Sequence, residues 1–165
     1  MIHLNSLHTI TFAQRSVWKR QYELLDGETV LGTLSFPSIF SDQLKVESGE
    51  RCWILEKKGI LNIILTVRLP DAKKPMATIP LKLKRGMYTI KLPRYRSVRL
   101  LTNLLKSEYV LKTTMNTTLC TLKLQRGPRL TGDLVIEKKE EFLPEYPWLI
   151  YVVAYIALLG QRNSA

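Results

Sequence analysis

The residues best suited to chemistry lie in a stretch that contains no acidic residue, between Asp71 and Glu108. Lysine and arginine bind phosphate groups, and an aromatic ring beside them adds a stacking or headgroup contact. Arg94 and Arg96 flank Tyr95 in this way. Seven basic residues form the candidate anion- and lipid-binding site, here called the 82–99 basic face: Lys82, Lys84, Arg85, Lys91, Arg94, Arg96 and Arg99.

The charge of the whole chain fits such a site but does not select its ligand. The sequence has 25 Lys and Arg against 14 Asp and Glu, for a formal charge of +11. A charge of this size favours nucleic acid, acidic lipid headgroups or acidic proteins as partners. A second interpretation stays open, because basic side chains on a wet strand also protect a sheet from edge-to-edge aggregation.

Other reactive residue types form no recognisable centre. His3 and His8 have the spacing of one helix face, but their segment has β character and no third metal ligand lies nearby. No nucleophile-elbow, Walker or dinucleotide-binding motif occurs. Cys52 and Cys120 are far apart in apolar surroundings, which is typical of reduced, buried thiols. We therefore expect a non-catalytic protein without metal or cofactor, although a Cys–His pair stays open.

Length and composition predict one folded domain over residues 1–165. The hydrophobic share of 45 % and the length of 165 residues suffice for a core. The first ten residues lack the basic n-region and apolar h-region of a secretory signal peptide. We expect a cytoplasmic protein that can associate with a membrane surface.

Alternating apolar residues and turn signals predict β-hairpins over residues 1–142. Asp26-Gly27 separates two apolar runs, and glycine accepts the positive φ that a tight turn requires. A second hairpin is predicted around Lys58-Gly59, with Ile60 to Arg68 as its outgoing strand. About ten short runs of this kind predict an antiparallel barrel or sandwich.

A third hairpin would carry part of the 82–99 basic face. Residues 78–84 and 87–92 both alternate with period two, on either side of Arg85-Gly86. A two-residue turn there would place Lys84 opposite Met87 and Lys82 opposite Thr89, with both lysines and Lys91 facing outward. Pro80 interrupts the first run, which predicts a sheet edge or a bulge, since proline has no N–H to donate.

The most apolar run, Tyr146 to Gly160, predicts a helix over about 146–160. Pro147 suits a first helical turn, and Gly160 suits a C-terminal stop. Twelve residues between them span about 18 Å as a helix, short of the roughly 30 Å of a bilayer core. The run is apolar on every side, so a helix here must be enclosed. A plug inside a barrel is the favoured interpretation, and a tail anchor is the alternative.

Hairpins closed around a hydrophobic C-terminal helix resemble the Tubby C-terminal-domain-like superfamily, which includes phospholipid scramblases and LURP-one-related proteins. The stretch Tyr22-Glu-Leu-Leu-Asp-Gly-Glu-Thr-Val-Leu-Gly-Thr-Leu-Ser-Phe36 is similar to the repeated strand–Asp–Gly–strand unit of those barrels. The resemblance implies an antiparallel β-barrel of about 10–12 strands that encloses the helix, and a lipid-facing or scaffold role. No stretch matches the family's phosphoinositide-binding motif, so no site residue is carried over.

These observations predict a non-catalytic binding module that engages anionic phospholipid headgroups, or another anionic surface, through the 82–99 basic face. The alternatives are a nucleic-acid-binding protein and a protein-interaction barrel with no lipid role. The sequence leaves the oligomeric state open.

Overall fold

The alternating runs of the sequence form a barrel of antiparallel strands in the computed structural model, which describes residues 8–16, 18–82, 86–137 and 142–163. Two helices follow the strands. The elements are β1 (His8–Gln14), β2 (Gln21–Asp26), β3 (Thr29–Ser35), β4 (Gln43–Ser48), β5 (Arg51–Lys58), β6 (Ile64–Arg68), β7 (Ala77–Pro80), β8 (Met87–Lys91), β9 (Ser97–Asn103), β10 (Glu108–Thr113), β11 (Thr118–Gln125), β12 (Thr131–Ile136), α1 (Phe142–Glu145) and α2 (Leu149–Asn163).

Except for β7 and β8, each strand pairs with its neighbours in sequence, and the first strand pairs with the last. In the β1–β12 ladder, His8 lies opposite Ile136 and Ala13 opposite Thr131. The ring has a seam between β7 and β8, which form the two ends of the twelve-stranded sheet. The predicted antiparallel barrel of about 10–12 strands is therefore confirmed, as a nearly closed meander.

The seam corrects the third predicted hairpin. β7 ends at Pro80, where the chain stays with β6 because the Leu81 N–H donates to the Ile63 carbonyl at 2.9 Å. Proline offers no N–H for a further ladder bond on this strand. Lys82 is therefore in a loop rather than opposite Thr89, and Lys84 lies outside the described residues. The prediction that the strand with Pro80 is a sheet edge is confirmed.

The interior is filled by α2, whose residues from Leu149 to Leu158 are all buried. Its side chains meet walls on different sides of the ring. The Tyr151 ring lies 5.8 Å from that of Trp53 on β5, while the Tyr109 hydroxyl on β10 lies 3.5 Å from the Ala157 carbonyl. Burial on every side together with contacts to distant strands confirms that the barrel encloses the helix.

The helix boundaries differ from the predicted 146–160 at both ends. Residues 142–145 form the separate short helix α1, and α2 begins at Leu149, after Pro147. Gly160 does not end α2. A β-carbon there would lie 2.6 Å from the Tyr109 hydroxyl, so this glycine allows close packing inside a continuing helix. Among the described residues, no helix is long and apolar enough to cross a membrane.

Candidate functional site

The antiparallel meander divides the loops between two ends of the barrel, because the chain reverses direction at every strand. Loops that follow odd-numbered strands lie at one end. The Gln161 side chain of α2 bonds to Arg126 and Ser107 at that end. We call this end the crown and define it as the described residues of six segments: 15–20, 36–42, 57–63, 81–86, 104–107 and 126–130.

The structure divides the 82–99 basic face between the two ends and the wall. Lys91 and Arg99 are exposed on the outer wall, where Arg99 lies opposite Thr89 on β8 and opposite Lys112 on β10. Lys91, Arg99 and Lys112 form what we call the wall patch. Lys112 was not predicted, because only the register of β9 with β10 brings it beside Arg99. Lys84 and Arg85 lie outside the described residues.

Arg94 lies in the turn between β8 and β9, at the end of the barrel opposite the crown. Arg94 and Tyr95 have left-handed backbone conformations, with φ of 63° and 58°. This region costs a non-glycine residue about 1–2 kcal/mol. Tyr95 is fully exposed. The turn is closed by the Leu92 N–H, which donates to the Arg96 carbonyl at 2.7 Å.

Arg96 turns away from solvent toward the start of the helices. Its guanidinium donates to the Glu145 carboxylate at 2.6 Å and to the Tyr146 hydroxyl at 2.8 Å. The hydrogen bond from Arg96 holds the pKa of Glu145 below its ordinary value and raises the pKa of Arg96. This residue of the predicted face therefore joins the β8–β9 turn to the helical segment.

Lys82 lies in the crown, where basic residues outnumber acidic ones. Asp42 is the only acid among the described residues of the crown, against nine basic residues. Several of these cations are used within the protein: Arg15 bonds to Glu23 at 2.9 Å, and Arg20 donates to loop carbonyls. Five others are exposed and have no ion pair within the described part of the chain: Lys19, Lys58, Lys82, Lys106 and Arg129.

A depression of about 980 Å³ lies at the end opposite the crown, where α2 enters the barrel. Its wall includes the buried rings of Trp53, Tyr146 and Trp148, and its rim includes Glu50 and Asp71. The Tyr146 and Trp148 rings are 6.0 Å apart in an edge-on arrangement. Cys52 and Glu145 also line the depression.

His8 pairs with an acid at the surface, and the two cysteines differ in burial. His8 lies 3.1 Å from the carboxylate of Asp26 at the surface, and His3 lies outside the described residues. Complete burial raises the pKa of the Cys120 thiol to about 12, and partial burial also raises that of Cys52. No group of three His, Cys, Asp or Glu residues within the described ranges is placed to hold a metal ion.

Comparisons with known proteins give one structural similarity. No family model matches the chain, and no curated protein sequence matches it. Among solved structures, a protein from Arabidopsis thaliana determined by X-ray diffraction is similar over 96 % of this chain and 93 % of its own. The two are 10 % identical and superpose with a TM-score of 0.44, a level of similarity on which no functional argument is based.

Proposed function

We propose that this protein is a non-catalytic, peripheral binding module for anionic phospholipid surfaces, and that it docks through the crown. The observation that carries this is the charge of the crown, where nine basic residues face one acid. We further propose that the barrel with its central helix is a Tubby-like domain, in line with the lipid-facing role that the resemblance implies.

The electrostatic contribution of such a surface is sufficient for reversible binding. Each lysine or arginine near an anionic leaflet contributes about 1 kcal/mol. Lys19, Lys58, Lys82, Lys106 and Arg129 would together supply roughly 5 kcal/mol, because none has an ion pair with another described residue that binding would break. Anionic lipids are concentrated in cytoplasmic leaflets, which fits a cytoplasmic, membrane-associated protein.

The wall patch is a second basic surface, and it is the alternative to the crown as the docking surface. Thr89, Ser97 and Thr118 surround Lys91, Arg99 and Lys112 on the outward face, with no acid among the paired positions. It has only three cations and lies on a side of the barrel, so we assign it a minor part in binding.

Vesicle sedimentation tests the proposal. The protein should pellet with vesicles of phosphatidylcholine and phosphatidylserine, pellet much less with phosphatidylcholine alone, and bind less tightly as salt rises. Replacing Lys19, Lys58 and Lys82 with Gln should lower the partition on anionic vesicles at least about tenfold, since three such contacts are lost.

The matched control replaces the wall patch residues Lys91, Arg99 and Lys112 with Gln, which removes the same charge from a different surface. Equal recovery on neutral and anionic vesicles at low salt would contradict the proposal. If only the wall variant loses binding, the docking surface is the predicted outer wall. If the protein retains DNA or RNA on filters at about 50 mM salt but binds no vesicles, its anionic partner is a nucleic acid.

A further inference from the structure

We infer that the crown does more than bind headgroups: its loop tips insert apolar side chains into the boundary between headgroups and acyl chains, with the barrel standing end-on. This role rests on the proposed binding to lipid and adds a second, salt-resistant component to it. The partner is therefore a bilayer interface with an anionic surface.

The crown exposes large apolar side chains, which do not contribute to binding by charge alone. One loop carries an adjacent pair in which both residues are almost fully exposed, and two other loops each carry a pair in which one residue is highly exposed and the other more than half exposed. Trp18, Phe40, Ile60, Leu61 and Leu105 are each at least 86 % exposed, and Ile39 and Leu104 are 61 % and 55 % exposed.

The loops at the opposite end carry fewer such residues in the part of the chain that the structure describes. Tyr95 and Met115 are fully or almost fully exposed there, and Leu69 and Met76 are half exposed. Monomeric proteins rarely collect exposed apolar side chains at one place without an interaction to account for them. The crown combines them with lysines that have no ion pair within the described ranges, which is the composition of a surface that lies in a membrane interface.

The chain holds these tips outward instead of folding them onto the barrel. The Arg20 guanidinium lies 3.7 Å from the centre of the Phe36 ring and donates to the carbonyls of Ser38 and Ser41. The Tyr155 hydroxyl, on the helix inside the barrel, donates to the Asp42 carbonyl at 2.5 Å. The loop that presents Ile39 and Phe40 is thereby fixed at both ends.

The other apolar tips are fixed by their own turns. Gly59 has a φ of 96°, and a β-carbon there would overlap the Asn62 carbonyl, so the loop with Ile60 and Leu61 needs glycine at its base. In the loop with Leu104 and Leu105, the Lys106 N–H donates to the Asn103 side chain at 3.2 Å. Surfaces ordered before binding lose less conformational entropy when they bind.

The positive charge of the crown favours a bilayer over a second copy of the chain as its binding partner. If two crowns packed against each other, Lys19, Lys58, Lys82, Lys106 and Arg129 of each would face cations, with Asp42 as the only acid of the described crown. An anionic bilayer surface offers apolar depth for the tips and negative charge for the cations around them.

The protein contains its own probe for insertion. Of its three tryptophans, Trp53 and Trp148 are only 4 % exposed, so a change of solvation on binding is reported by Trp18. On anionic vesicles the emission should shift to shorter wavelength, and lipids brominated high on their acyl chains should quench it. The shift and the quenching should both be absent in Trp18→Phe, which is the spectroscopic control.

Apolar substitutions measure what insertion contributes. At 0.5 M NaCl, where headgroup attraction is screened, Ile60→Ser combined with Leu61→Ser should lower the vesicle partition about a hundredfold, and Leu105→Ser alone about tenfold. Met115→Ser, which removes an equally exposed apolar side chain at the opposite end, should bind like the wild type. All these positions are exposed, and circular dichroism checks that each variant is folded.

Each outcome separates insertion from headgroup binding. Low-salt binding to anionic vesicles without a Trp18 shift, and with serine variants that bind like the wild type, would overturn insertion and leave the proposed function intact. Absence of vesicle binding at any salt would overturn both. Dimers in sedimentation equilibrium that disappear in Leu105→Ser would assign the crown to a second copy of the chain and overturn its assignment to a bilayer.

Discussion

The phenol oxygen of Tyr151, on the helix inside the barrel, occupies the space that a β-carbon on Gly32 of β3 would need. The wall of the barrel and the helix inside it are therefore closely fitted to each other at this pair of residues. Burial around this hydroxyl raises the pKa of Tyr151, so the phenol stays protonated where it meets the strand.

Replacing Gly32 with Ala should destabilise the protein by about 1–3 kcal/mol, because the added methyl group must displace a buried ring. Urea denaturation measures the effect as a lower midpoint with an unchanged slope. The control is Gly127→Ala, where the nearest atom to an added β-carbon is the Arg129 carbonyl oxygen at 3.5 Å. A Gly32→Ala midpoint equal to that of the control would contradict this packing.

The ion pair of Arg96 with Glu145 should make the free energy of unfolding depend on pH in the acidic range. Pairing lowers the pKa of Glu145 in the folded state, so the folded protein binds this proton less readily than the unfolded chain. The stabilisation is present above the ordinary carboxyl pKa of about 4.3 and is lost as the pH falls through the lowered value.

Arg96→Met should therefore lower the urea midpoint at pH 7, and the difference from the wild type should shrink as the pH falls below about 4. Arg15→Met, which breaks the exposed pair with Glu23, serves as the comparison for a surface ion pair without the second bond to a tyrosine hydroxyl. A constant difference between wild type and Arg96→Met from pH 7 to pH 2 would exclude the pairing as its cause.

Glycine in place of Tyr95 should stabilise the left-handed turn at Arg94 and Tyr95. Tyr95→Gly relieves the backbone strain of a φ of 58° and removes no buried contact, since the ring is fully exposed. We expect a gain of about 1 kcal/mol and a melting temperature about 2–4 °C higher. Calorimetry measures the melting temperature. A lower value in the variant would show that the Tyr95 side chain stabilises the fold by more than the strain of its backbone destabilises it.

The two thiols should differ in reactivity. Cys120 is buried and has a pKa of about 12, whereas Cys52 is partly exposed. Because the thiolate is the reactive form, maleimide at pH 8 should add at most once to the native protein and twice in denaturant. Mass spectrometry counts the adducts, and Cys52→Ser should show none in the native state. A native adduct on Cys120 would mean that the wall at β11 opens readily.

Much of the architecture follows from the sequence because it depends on short-range patterns. Asp26-Gly27 forms the predicted turn, with Gly27 at a φ of 60°, and alternation places Leu24 inside and Glu23 toward solvent. The helix was predicted because its residues are apolar on every side. The prediction that Gly160 ends the helix was wrong. A glycine that ends a helix cannot be distinguished by sequence from one that allows close packing, and here the close contact is with Tyr109.

The crown contains apolar residues whose exposure the sequence did not predict. The apolar character of Ile60 and Leu61 predicts a strand there, since apolar residues are usually buried. The structure places both residues in an exposed loop. Lys112 was missed for another reason, since strand register joins residues that are distant in sequence.

The enclosed helix also has a consequence for the order of synthesis. α2 is made after all twelve strands that surround it, and β1 must wait for β12 before the ring can close. Until then a nascent wall has an apolar inner face with nothing to cover it, and such faces aggregate. Strand pairing over so long a stretch of chain is slow. The complete core can therefore form only once residues 149–163 have left the ribosome.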